Sequence, residues 1–281
     1  LSLQWHGRRD REDFRHAAQF VQTRAGPQDT VMVHVSWARF VFGHYYEEDF
    51  VHPFPNNVDS ETPIQDILEP YVDGNVLWLV QTGLDLARPA GDPDHLVQRW
   101  LAEHYPVVTA VFPKGVDVRG YTTRYRFSTL PCAAFPLHAA YSNGLTLVGY
   151  HLPMRDLPTR DRWYHPPSTW VPVTLYWSVS QPLPGDIEVS ISLEDEQGNV
   201  WGGELPREND LRAFHAPLQW QPGEVVRWDF DVNTNPQIPP GDYKVVLRVY
   251  EKDTGNALKH ASGESWLILD RVSLSRPQAH R

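Results

Sequence analysis

Two different periodicities divide this chain. Over residues 10–127 the apolar positions switch between helical spacing and short continuous runs. Phe14, Ala17, Ala18 and Val21 recur at helical spacing behind Asp10, Glu12 and Asp13, whose charge suits a helix N-terminus. Gly26-Pro27 stops that helix. Thr30–Val35 is a short β-branched run and predicts a buried strand. Trp37, Phe40, Val41 and His44 resume helical spacing, so a second helix is expected. Val76–Val80 predicts another buried strand, Asp94–Tyr105 an amphipathic helix with Leu96, Val97, Trp100 and Leu101 inward, and Val107–Phe112 and Val116–Arg126 two more strands. Strands alternating with helices predict a small, open, mostly parallel α/β sheet domain over residues 1–127.

Across residues 128–144 the periodicity fails and proline, alanine and small polar residues dominate, as expected of a linker. Beyond it the period becomes two. Val171, Val173, Leu175, Trp177 and Val179 alternate with Pro172, Thr174, Tyr176 and Ser178. The same alternation runs through Ile187–Leu193, Val226–Val232 and Tyr243–Val249, separated by turn residues such as Pro184-Gly185-Asp186 and Pro222-Gly223. Short alternating strands at these spacings predict an immunoglobulin-like antiparallel β-sandwich over residues 145–275. Tyr243 opens a strand directly after Pro239-Pro240-Gly241-Asp242, which predicts a tyrosine corner whose hydroxyl bonds back to upstream backbone.

Composition narrows the function classes. The formal net charge of −10 argues against nucleic acid, which needs a basic surface. Cys132 is the one cysteine, so an intrachain disulfide and a thiolate metal cluster are both excluded. No run approaches the 18 or so consecutive apolar residues of a membrane-spanning helix. The chain starts at Leu1 without methionine or signal peptide, and is read as a fragment or processed chain.

Motifs for chemistry are missing. Neither a dinucleotide fingerprint, a P-loop nor a nucleophile elbow occurs, so no cofactor and no catalytic residue are assigned. The 13 histidines never fall at ligand spacing, so no metal site is expected. Asp92 and Asp94 read as helix-start residues, and the adjacent Glu47, Glu48 and Asp49 as a solvated face. Two aromatic stretches are candidates for binding sugar. The first is Trp37, Tyr45 and Tyr46, beside Ser36 at the end of the first strand, where open α/β sheets bind ligands. For Ser36 the competing reading is a helix N-cap. The second is Arg160, Trp163 and Tyr164 in the loop of residues 153–170, for which the competing reading is an anchor onto the sandwich.

Several motifs resemble those of bacterial polytopic glycosyltransferases related to the dolichyl-phosphate-mannose protein mannosyltransferases. They include Asp13-Phe14-Arg15, Asp29-Thr30-Val31, Tyr45-Tyr46, Val76–Val80 and Val116–Tyr125 in the first part. In the second they include Leu145–Leu152, Leu175-Tyr176-Trp177, Trp220–Glu224, Pro240–Tyr243, Val249-Tyr250 and Thr254-Gly255-Asn256. The resemblance implies a soluble C-terminal region on the extracytoplasmic side of a bacterial membrane. Its partners would be the membrane-embedded N-terminal part of the same chain and a glycan or polyprenyl-linked acceptor. The acidic catalytic residues of such enzymes lie in loops that this sequence lacks, so this region is expected to be non-catalytic. Two alternatives stay open: a stand-alone secreted carbohydrate-binding or adhesive protein, and an unrecognised soluble α/β enzyme.

Overall fold

The computed structural model describes residues 12–47, 51–54, 57–83, 89–160, 168–204 and 209–277. The chain forms two compact units, Leu1–Thr123 and Arg124–Arg281.

In the N-terminal unit, α1 (Phe14–Gln22) starts where its acidic cap predicts, with the Asp13 carboxylate accepting from the His16 amide. It is followed by β1 (Thr30–His34), α2 (Ala38–Gly43), β2 (Val51–Pro53), α3 (Ile64–Leu68), β3 (Val76–Thr82), α4 (Leu96–His104), β4 (Val107–Val111) and β5 (Val116–Thr122). The sheet order is β2-β1-β3-β5-β4. Among the described residues of this unit only β1 pairs in parallel, with β2 and with β3; β5 runs antiparallel to both β3 and β4. The expectation of a mostly parallel α/β domain is therefore corrected. The residues between β4 and β5 allow only a hairpin, because a parallel crossover needs a dozen residues or more. Strand residues also far outnumber helical ones over the chain, so the protein is mostly β.

Asp29 locks the start of β1. Its carboxylate accepts from the Gly26 amide at 2.9 Å, the Val76 amide at 3.2 Å and the Trp78 indole at 3.1 Å. This explains Asp29-Thr30-Val31 as a structural motif that ties α1's exit to the buried strand β3.

The C-terminal unit contains β6 (Arg126–Phe127), β7 (Phe135–Ala140), β8 (Leu145–His151), β9 (Asp156–Pro158), β10 (Trp170–Val179), β11 (Ile187–Glu194), β12 (Val200–Glu204), α5 (Leu211–Phe214), β13 (Val225–Thr234), β14 (Gly241–Glu251) and β15 (Leu267–Ser275). The inward sets read from the alternation are buried here: Val171, Val173, Leu175 and Trp177 on β10 meet Ile187, Val189, Ile191 and Leu193 on β11 in one core. In place of two separate antiparallel sheets, one ten-stranded sheet runs β7-β8-β10-β13-β12-β11-β14-β15-β9, with β6 added on β13. It curls into a half-barrel. The short β12 pairs with both β11 and β13 and so joins the two halves, and β9 pairs in parallel with β15. The unit is β-rich and sandwich-like, but not the immunoglobulin-like pair of sheets.

Residues 128–144, expected as a linker, include β7, which pairs with β8. Its Pro136 is tolerated because β7 lies at the end of the sheet, and the register shifts between Pro136 and Ala139. The Tyr243 hydroxyl donates to the Pro239 carbonyl at 2.6 Å, the backward bond that Pro239–Asp242 predicts. Trp220 of the Trp-Gln-Pro-Gly-Glu stretch is wholly buried, its indole donating to the His215 carbonyl at 3.0 Å.

Candidate functional site

Helix α2 is held down by residues other than its apolar stripe. Ala38 and Phe42, four residues apart, are the buried positions of the helix, and the Tyr46 ring packs on Phe42 with centroids 5.3 Å apart. That orientation turns Trp37, Phe40 and Val41 outward, at 51%, 69% and 41% exposure, with Tyr45 at 37%. A short helix on a sheet has room to bury one narrow stripe, and the smaller Ala38 with Phe42 fills it.

Of the ten large hydrophobic side chains exposed among the described residues, four lie between Trp37 and Tyr45. Scattered apolar residues need no explanation, but a contiguous group marks a binding surface. Cations lie over the rings: the Arg39 guanidinium is 4.6 Å from the Phe40 centroid and that of Arg15 5.3 Å from Tyr45. His44 meets Tyr45 edge-on at 4.9 Å. Flat ring faces beside hydrogen-bond donors suit a sugar, which presents C–H groups on one side and hydroxyls at its edge.

The other sequence candidates fare differently. Ser36 is half-buried after β1, and the cap position of α2 falls to Trp37, without a side-chain capping bond. Tyr46 is 6% exposed and belongs to the packing, so the aromatic surface is Trp37, Phe40 and Tyr45 rather than Trp37, Tyr45 and Tyr46. Arg160 belongs to the C-terminal unit, where its Nε donates to the Pro236 carbonyl at 3.1 Å. Trp163 and Tyr164 lie outside the described residues.

Sequence reasoning missed a buried polar network in the N-terminal unit. At the carboxyl ends of β1 and β3, the Gln81 amide donates to His34 Nδ1 at 3.2 Å and to Asp92 at 3.3 Å. The Gln98 amide, from α4, donates to the Gln81 carbonyl oxygen and to Asp117 at 3.0 Å. Arg119 completes it with Nε and Nη2 on the Asp117 carboxylate. Burial works against the Arg119 charge, but the hydrogen bonds and field of Asp117 outweigh it and raise the pKa. Asp92 also accepts from the Leu96 and Val97 amides at 2.7 and 3.0 Å, which makes it the helix-start residue that the sequence suggests. Gln81 at the end of an otherwise apolar run was the available signal. The network joins α4 to the sheet through hydrogen-bonded side chains, and His34, Gln81 and Asp92 have no solvent exposure. It accounts for the positioning of α4 on the sheet.

In the C-terminal unit Glu224 gathers a second cluster. Its carboxylate accepts from the Gln221 amide at 2.7 Å and Arg126 Nε at 2.7 Å, with His215 Nε2 at 3.0 Å. Burial pushes its pKa up, but these hydrogen bonds prevail and hold it below the usual carboxylate range. Among the described residues no three His, Cys, Asp or Glu side chains are grouped to hold a metal ion.

No protein family matches this chain, and neither does any curated protein.

Proposed function

We propose that this chain is a non-catalytic accessory region of a polytopic bacterial glycosyltransferase, and that the α2 surface holds a glycan near the membrane-embedded site. The observation that carries the binding part is the outward stripe of Trp37, Phe40 and Tyr45 with guanidinium groups over two of its rings. The link to a transferase rests on the motif resemblance. Those motifs have structural roles here, in Asp29, Trp220 and Tyr243. Weak binding suits such a module, because tethering to the enzyme supplies effective concentration. On this reading the region faces the extracytoplasmic side, and its partner is the membrane part of its own chain.

Incubating the purified chain with labelled polyprenyl-phosphate sugars and with chromogenic glycosides tests the non-catalytic part. No transfer and no hydrolysis are expected. Turnover that survives purification and disappears with one substitution in this chain would overturn the reading. A stand-alone secreted binding protein would use the same aromatic surface. The reading frame upstream of Leu1 separates the two: several segments of about 20 apolar residues are expected for the transferase, and a signal peptide alone for the secreted protein.

A further inference from the structure

Strand β12 carries two adjacent glycines, and close packing accounts for only one of them. A Cβ at Gly202 would fall 2.8 Å from the Asn233 carbonyl oxygen, so that position must stay bare for β12 to approach β13. A Cβ at Gly203 would meet nothing nearer than the Ile191 carbonyl oxygen at 4.0 Å. Its backbone is not left-handed either. Neither sterics nor conformation calls for glycine there, although glycine weakens a strand. The remaining use of a bare strand position is the close approach of a ligand.

Gly203 pairs with Ser192, and directly paired residues share a face of the sheet. Ile191 and Leu193 turn into the core, so Ser192 and Gly203 lie on the outer face. Gly203 there lines a shallow cleft of about 550 Å³ together with Ser190, Trp201, Asn235, Arg248 and Tyr250. The Trp201 ring is fixed by its indole, which donates to the Asp195 carboxylate at 2.9 Å. Among the described residues the charged side chains of the lining are Arg248 and Glu204, and both are engaged. Arg248 Nη1 donates to Glu194 at 2.6 Å and to Ser192 Oγ at 3.1 Å, and Glu204 has a partner of its own. The cleft therefore asks for no counter-ion. It offers hydrogen bonds instead. Asn235 accepts from the Gln237 amide at 2.8 Å, which leaves its side-chain nitrogen uncommitted among the described residues. The Ser190 and Tyr250 hydroxyls and Arg248 Nη2 are likewise uncommitted among those residues. Such groups beside an indole and a phenol ring match a neutral sugar, whose hydroxyls meet the polar groups while its C–H face lies on a ring.

We propose that this outer cleft of the C-terminal unit, floored by Gly203, is a second sugar site that takes one neutral hexose unit of a glycan. The inference goes beyond the α2 reading: it concerns the other unit, and neither site's failure entails the other's. The probes are the methyl glycosides of glucose, galactose, mannose and N-acetylglucosamine. Each is titrated into the full chain while the Trp201 indole and the amides of Ser190, Gly203 and Tyr250 are followed by NMR. At least one should move these resonances together and saturably. Tyr250→Phe removes the hydroxyl alone and should weaken that binding about fivefold. Gly203→Ala, for which the backbone has room, should weaken it at least as much by setting a methyl against the ligand. Trp37→Ala should leave these shifts as they are. The proposal is overturned if none of the four sugars moves these resonances, if Tyr250→Phe and Gly203→Ala both bind as the wild type does, or if Trp37→Ala abolishes the shifts.

Discussion

Replacing Tyr243 with phenylalanine removes one oxygen and leaves the ring in place. The side chain is 3% exposed, and its hydroxyl donates to the Pro239 carbonyl at 2.6 Å. Losing a hydrogen bond of this kind costs about 1 kcal/mol net, and stranding a buried partner raises that to as much as ~3 kcal/mol. Pro239 itself is exposed, so its carbonyl regains water in the variant and the cost stays near the lower end. We expect Tyr243→Phe to destabilise the C-terminal unit by about 1–1.5 kcal/mol, or roughly 2–6 °C in its midpoint. The assay is urea and thermal unfolding of the full chain, following resonances of Val245 and Leu247 so that only this unit's transition is read. Tyr250→Phe is the control, because that half-buried hydroxyl makes no hydrogen bond with the described residues; its effect should stay within about 0.5 kcal/mol. A Tyr243→Phe midpoint within error of the wild type, or an equal loss in the control, would refute the reasoning.

Other expectations follow from specific contacts. A Cβ at Gly74 would fall 2.4 Å from the Gln28 carbonyl oxygen, a backbone atom with little freedom to yield. Gly74→Ala should therefore cost the N-terminal unit about 1–3 kcal/mol by urea unfolding, and an unchanged midpoint would contradict the close approach. The pKa of Glu224 is depressed in the folded state, so its contribution is present above the ordinary carboxylate range and lost as pH falls through the folded value. Burial and the nearby Arg227 charge lower the His151 pKa, which acts in the same direction. Stability of the C-terminal unit should fall on acidification, and Glu224→Gln should flatten part of that pH profile; an unchanged profile would show that Glu224 is not a source.

The sequence conveyed burial well where the period was two. On β10, β11, β13 and β14 each inward side chain faces one common core, so alternation and burial coincide. It conveyed pairing poorly. Nothing local to Val116–Thr122 says that β5 inserts between β3 and β4, and nothing in Val200–Glu204 says that β12 touches both β11 and β13. The spacing from Trp37 shows helix α2 but not its buried face: its residues have two competing apolar stripes, and tertiary packing chose Ala38 and Phe42. The candidate surface is half legible: the rings of Trp37 and Tyr45 mark it in the sequence, whereas the exposure of Phe40 and the burial of Tyr46 depend on tertiary packing. The polar network at Gln81, Gln98 and Asp117 depends on contacts between distant segments, which spacing along the chain does not encode.

The central claim is that the outward face of α2 binds sugar, and its direct test is an NMR titration of the full chain with linear oligosaccharides. The Trp37 indole and the amides of Phe40 and Tyr45 should shift together and saturate weakly, with a Kd on the order of millimolar. Trp37→Ala should abolish those shifts without changing the unfolding midpoint, because that side chain is 51% exposed. Resonances at this face that stay still while sugar binds elsewhere, or that never move at all, would contradict the account.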